Sequence, residues 1–377
     1  MTPQELRQHF PALNDKAYMN WASIGLIPEV AVAAGSAAMA EQARLGDGIV
    51  HEAKPMLDRL RQLTARLIGA EAGEVAFLRN TVEGVSTIAS GFPWRSGDNV
   101  LVGTMEFPAN VYPWLHAQRK GMEVRFVEPS QGTLSVDDFA AAADQHTRMI
   151  AISAVQFTNG YRIDLGALSE FCQGRDIRLA VDSIQALAIA PFDVSQTPID
   201  YMAAGVHKWL CGPIGFGFFY VRKDRFDELE LNEVGHGSHV RPGASWTEYD
   251  WPLRPDAGRF EAGALSFAHA AACEAALELF EETTVATIHD HATCLAQRLI
   301  EGLESKGYGP LSPQPARQAA GIVCFTSEHH SPESIEERLR DAGIFISLRE
   351  GAVRVSIHGV NTSDEIDAVI AALPMDQ

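Results

Sequence analysis

Residues 180–221, AVDSIQALAIAPFDVSQTPIDYMAAGVHKWLCGPIGFGFFYV, carry Asp182 at the end of one apolar run and His207-Lys208 at the end of another. A Lys between Val206 and Trp209, ahead of a glycine-rich turn, sits in apolar surroundings. Burial there penalises the ammonium form and makes the amine an imine-forming nucleophile. Taken alone, the same Lys also reads as an aliphatic stem lying along a strand end, and Asp182 as a helix cap. Taken together, the two meet the needs of pyridoxal phosphate, which requires a Lys for its aldehyde and a carboxylate to keep its ring nitrogen protonated. A phosphate cradle is also required, and RNTVEG (79–84) supplies one where backbone N–H groups open a helix. Arg354, alternating with Val353 and Val355, is either an edge residue or a fork for a substrate carboxylate.

These residues need a frame to bring them together. From about 75 to 222, short apolar runs alternate with helical patterns, which indicates a mainly parallel sheet covered on both faces. Ligands of such sheets sit beyond the carboxyl ends of the strands. That places Asn80-Thr81, Glu106-Phe107, Gln156-Phe157 and Asp182 around one crevice. After about residue 255 the pattern changes to two long amphipathic helices followed by short strands and helices, a second α+β unit. The expected division is a large domain over 18–255 and a small one over 256–377, joined by the N-terminal helix at 1–17.

With 377 residues, 46% of them hydrophobic, the chain can bury a sizeable core. Its net charge of -19 would repel nucleic acid and an anionic membrane surface. Five widely spaced Cys without a CxxC pair read as reduced thiols of a cytoplasmic protein. No apolar run reaches the roughly 18 residues needed to cross a bilayer, and a nicotinamide enzyme is excluded for want of a GxGxxG turn after a first strand.

The stretch AVDSIQALA…GVHKWLCGPIGFGFFYV resembles the cofactor-lysine region of the class-V aminotransferases. YMNWASIGLIP, FLRNTVEGVSTIASG, MEFPANVYPW, RFEAGALSFA and VRVSIHGVNTSDEID resemble further segments of that family, in the same order along most of the chain. The resemblance implies an α/β fold-type I PLP-dependent transferase, with a mainly parallel seven-stranded sheet and a smaller α+β C-terminal domain. It implies a homodimer with shared active sites acting on a small amino acid. Lys208 would carry the cofactor and Asp182 would pair with its ring nitrogen. Gln185 would bond its phenolic oxygen, Phe107 would stack on its ring, and His207, Asn80, Thr81 and Val82 would hold its phosphate. Arg354, Ser23 and Asn110 would contact the substrate.

The departures from the family bear on the reaction. FISLREGAVRVS contains no Cys where desulfurases carry a nucleophile shortly before the carboxylate-binding Arg, which argues against a desulfurase. Phe107 replaces a ring-stacking His and transfers no proton. Gly205 and Ala264 stand where the family often has hydroxyl side chains near the phosphate. The expected activity is therefore transamination through an external aldimine and Cα deprotonation. A C–S or other β-elimination lyase and an amino-acid epimerase are the alternatives.

Other polar clusters carry less. His289, His291 and Cys294 share a helix without a common face for a metal. His236 and His239 occupy a glycine-rich loop, with Trp246 and Trp251 as further pocket candidates. Arg349 either assists Arg354 or pairs with a surface acid.

Overall fold

A computed structural model describes residues 1–241, 245, 247–313 and 320–376. Trp246 lies outside the described residues. The N-terminal segment forms α1 (Pro3–Arg7), a two-residue strand β1 (Ala17–Tyr18), α2 (Glu29–Leu45) and α3 (Ile49–Ile68). The alternating region follows as β2 (Val75–Leu78), α4 (Thr81–Gly91), β3 (Asn99–Gly103), α5 (Tyr112–Ala117), β4 (Glu123–Val127), α6 (Val136–Ala142), β5 (Thr147–Ser153) and α7 (Leu165–Gln173). It closes with β6 (Arg178–Asp182), β7 (Tyr201–Gly205) and β8 (Gly217–Val221).

These strands form one seven-stranded sheet in the order β2-β8-β7-β6-β5-β3-β4. β8 runs antiparallel to both of its neighbours, and the remaining pairs are parallel. Side chains alternate across a strand, so the continuous apolar runs feed two cores. On β8, Phe218 and Tyr220 enter one core while Phe219 and Val221 enter the other. On β5, Ile150 and Ile152 divide from Met149 and Ala151 in the same way.

The rest of the chain supplies α8 (Phe267–Thr283), α9 (Val285–Ser305), β9 (Gly309–Pro310), β10 (Ile322–Thr326), α10 (Pro332–Asp341), β11 (Ile344–Phe345), β12 (Ser347–Arg349), β13 (Ala352–Ser356) and α11 (Ser363–Ala372). A four-stranded antiparallel sheet, β12-β13-β10-β9, packs with α9 and α11 around a third core. The N-terminal segment reaches this unit through β1, which pairs with β11, and through an Asn20–Ser356 bridge. α8 packs on α2 and α3.

Candidate functional site

Beyond the carboxyl ends of β2, β3, β5 and β6 lies a cavity of about 390 Å³. Its charged lining consists of Asp182, Lys208, Arg349 and Arg354, with His207 beside them. Ser23, Asn80, Thr81, Val82, Phe107 and Gln185 also line it, so the structure brings together every expected site residue except Asn110. Asn110 is buried behind the wall. Its Nδ2 donates to Glu106 at 2.9 Å and its Oδ1 accepts from the Trp114 indole at 3.1 Å.

Lys208 is 8% exposed. Burial pushes its amine well below the usual lysine range, while Asp182 acts in the opposite sense. Its Nζ stands 5.5 Å from the centre of the Phe107 ring, which meets Phe157 edge-on at 5.2 Å. Burial also raises the Asp182 carboxyl, against the Ile184 N–H that donates to Oδ1 at 3.0 Å. The other Asp182 oxygen has no donor among the described residues. A desolvated amine and a desolvated carboxyl facing one cavity form the constellation expected of an acid–base site.

The chain around Lys208 is fixed on both sides. Gly25 N–H donates to the His207 carbonyl at 2.8 Å. A Cβ on Gly25 would lie 2.1 Å from the Lys208 carbonyl oxygen, so only glycine lets residues 20–25 pass this closely.

At the opposite end of the cavity α4 begins. Asn80 caps it, accepting from Glu83 N–H at 2.9 Å, and the Thr81 hydroxyl accepts from Gly205 N–H at 2.9 Å. The first-turn amides of Thr81 and Val82 have no acceptor among the described residues. His207 lies beside them, its pKa lowered by burial and then by the Lys208 charge. A Cβ on Gly205 would come within 3.0 Å of the His207 ring, so the ring packs close against the backbone there.

Arg354 is 1% exposed on β13. Its Nε donates to Ser347 Oγ at 3.2 Å, Nη1 to the Phe157 carbonyl at 2.9 Å and Nη2 to Ser23 Oγ at 2.7 Å. Arg349 donates to the same Ser23 oxygen at 2.9 Å. Neither guanidinium meets a carboxylate among the described residues. Burial, and then the Arg349 charge, lower Arg354 to about 10. An unneutralised pair of cations in a partly desolvated pocket is a strong receptor for carboxylate.

Free backbone donors at a helix start, a buried carboxyl with a spare oxygen and a desolvated amine fit pyridoxal phosphate. Thr81, Val82 and His207 suit its phosphate, Asp182 its ring nitrogen and Lys208 its aldehyde.

The remaining polar clusters are engaged elsewhere. His289 and His291 bond the carbonyls of Ile189 and Asn361, and His239 bonds that of Gly235. Trp251 stacks under Arg241, away from the cavity lining. Cys324, nearest in sequence to Arg354, is buried with its thiol donating to the Thr158 carbonyl at 2.8 Å. The other buried thiols are those of Cys172, Cys211 and Cys273, while Cys294 is exposed; none lines the cavity.

A probable cysteine desulfurase of Methanothermobacter thermautotrophicus is 29% identical over 97% of this chain and 96% of its own length. A cysteine desulfurase of Klebsiella pneumoniae is 27% identical over 98% and 97%. Among solved structures, the cystine C–S lyase C-DES in complex with its reaction product cysteine persulfide superimposes with a TM-score of 0.90, at 24% identity over 96% of this chain and 98% of that one. A cysteine desulfurase from Thermococcus onnurineus NA1 gives 0.88, at 23% identity over 98% and 97%.

The curated relatives overturn the expectation of transamination, and with it the reading against a desulfurase drawn from the missing Cys. The physical reason is that a missing thiolate removes only the cleavage in which sulfur is attacked, while sulfur can still leave carbon with the bonding pair. Breaking the C–S bond needs only the amine, the electron-accepting ring and the carboxylate clamp. A family model for class-V aminotransferases matches residues 36–369, and the chain belongs to that family, whose cofactor is pyridoxal phosphate.

Proposed function

We propose that the protein is a pyridoxal-phosphate C–S lyase that cleaves the Cβ–S bond of cysteine or of a cysteine disulfide such as cystine. One observation carries this reading. Beside the buried Lys208–Asp182 pair stand two guanidiniums, Arg349 and Arg354, without a carboxylate partner among the described residues. Three basic side chains and one acid line this cavity with His207, a balance that suits a substrate bearing more than one carboxylate.

Bound there, pyridoxal phosphate supplies an aldehyde for the substrate amine and a ring that takes up the electron pair released at Cα. Arg354 holds the α-carboxylate, and Arg349 offers a second fork to the distal carboxylate of cystine. Lys208 removes the Cα proton, its lowered basicity keeping a fraction of the amine free near neutrality. Asp182 keeps a proton on the ring nitrogen. Sulfur leaves Cβ with the bonding pair, as sulfide from cysteine or as a persulfide from cystine. With one water consumed, the remaining products are pyruvate and ammonia.

The reading includes a homodimer. Ile24, Val82 and Phe107 line the cavity yet remain 47%, 46% and 42% exposed, the kind of apolar rim that a second subunit covers. Five free cysteines suit a reducing cytoplasm. No helix among the described residues is long and apolar enough to cross a membrane.

The test is to incubate holoenzyme with cystine and with cysteine, measuring pyruvate and reduced sulfur. Both products are expected, and Lys208→Ala should lose them along with the visible absorbance of lysine-bound cofactor. Absence of sulfur release from both substrates overturns the reading.

A further inference from the structure

Gln185 follows Asp182 at the cavity wall and is 3% exposed. A primary amide has two faces of similar shape, and what it recognises depends on which one it presents. Here chemistry settles the orientation. The Trp209 indole N–H, which can only donate, lies 2.7 Å from one end of the amide, so that end is Oε1. The Ala22 carbonyl, which can only accept, lies 3.0 Å from the other end, so that end is Nε2. Both constraints agree. Turning the amide over would break two buried hydrogen bonds and set like poles against each other. One N–H of Nε2 is spent on Ala22, and the second has no acceptor among the described residues.

Trp209 is itself immobilised. It is 1% exposed, its carbonyl lies 3.1 Å from His358 Nε2, and its ring stacks on the His358 ring at 6.1 Å and 18°. The carbonyl requires the Nε2–H tautomer of His358, so the imidazole donates. Residues 20–25 press on the backbone of Lys208 from the other side.

We propose that Trp209 is a positioning residue, which locks the Gln185 amide so that this part of the wall can only donate a hydrogen bond to an anionic oxygen of the bound cofactor. The oxygen of suitable chemistry is the ring phenolate next to the imine. A donor to that phenolate competes with the imine N–H, which lowers the pH at which the lysine-bound cofactor loses its imine proton. Trp209 thus acts on the cofactor through Gln185 without touching it. The inference concerns cofactor binding and stands apart from which C–S bond is cut.

The experiment is a pH titration of the holoenzyme's visible band, with cofactor dissociation constants, for wild type, W209F, Q185M and the double variant. W209F is expected to raise the titration midpoint by about half a pH unit or more and to weaken cofactor binding about tenfold. In the Q185M background it should move neither, because the group it acts through is gone. A W209F protein that melts earlier with an unchanged midpoint overturns the proposal, as does an equal shift in both backgrounds. Should W209F fail to fold, 3-benzothienylalanine at position 209 keeps the bicyclic ring without the N–H and carries the same test. Failure of the C–S lyase reading would show in sulfur release and leave these midpoints untouched.

Discussion

The His358 imidazole is wholly enclosed, with Trp21 at 4.9 Å, Trp209 at 6.1 Å and Phe280 at 5.8 Å between ring centres. Burial, outweighing the hydrogen bond to Trp209, holds its pKa down to about 4. In the unfolded chain the same ring titrates near 6.5. Between those values the unfolded state binds more protons, so stability falls as the pH is lowered through the window. Wild type should lose about 2 kcal/mol more than H358Q between about pH 7 and about pH 5, measured by urea denaturation at each pH. At this scale Asp182, Lys208 and Arg354 were legible because their types are costly in apolar runs and so call for a purpose. Arg349 was left open because its neighbour Glu350 offered an equally good surface pairing. Trp209 was illegible as a positioning residue, since an indole in an apolar run carries no sign of whether its N–H is used.

Among the elements, α4 bears most directly on the site, because its first turn lines the cavity with Thr81 and Val82. It lies flat on the sheet at Gly84, where a Cβ would be 2.6 Å from the Ala203 Cβ and 3.3 Å from the Phe219 ring. Alanine there gains up to about 1 kcal/mol in helix propensity. Overpacking against a rigid strand should cost about 1–3 kcal/mol and prevail. Gly84→Ala is therefore expected to lower the melting temperature and, by lifting the helix start, to weaken cofactor retention, read by equilibrium dialysis. The alternation of strands and helices was plain in the sequence because both periodicities are local. The reversal of β8 was not, since GFFYV is equally apolar in either direction and only its insertion between β2 and β7 fixes the sense.

For the whole molecule, the exposed apolar rim bears on assembly. Analytical ultracentrifugation at micromolar concentration is expected to give twice the 41.0 kDa chain mass, and a monomer at every concentration would remove the shared-site reading. The acidic balance of the chain is compatible with an anionic substrate because a locally basic site can stand within it. Lys208, Arg349 and Arg354 meet in a cavity with Asp182 as its one acid, although the whole chain has a net charge of -19. Composition alone averages over that separation, which is why it argued against nucleic acid but could not locate a receptor for carboxylate.

The passage of residues 20–25 across the Lys208 backbone, pinned at Asn20 to Ser356, has a consequence for biosynthesis. The cavity is lined by residues 22–24 and by Arg349 and Arg354, which are synthesised more than 300 residues later. A nascent chain that has just released β8 from the ribosome holds Lys208 and the start of α4, but it lacks Arg349 and Arg354. The Asn20–Ser356 bridge, which adds to the Gly25–His207 bond in holding this segment on the lysine, forms only after residue 356 has emerged. Until then the cavity has its lysine and its carboxylate but not the full pair of guanidiniums held in place.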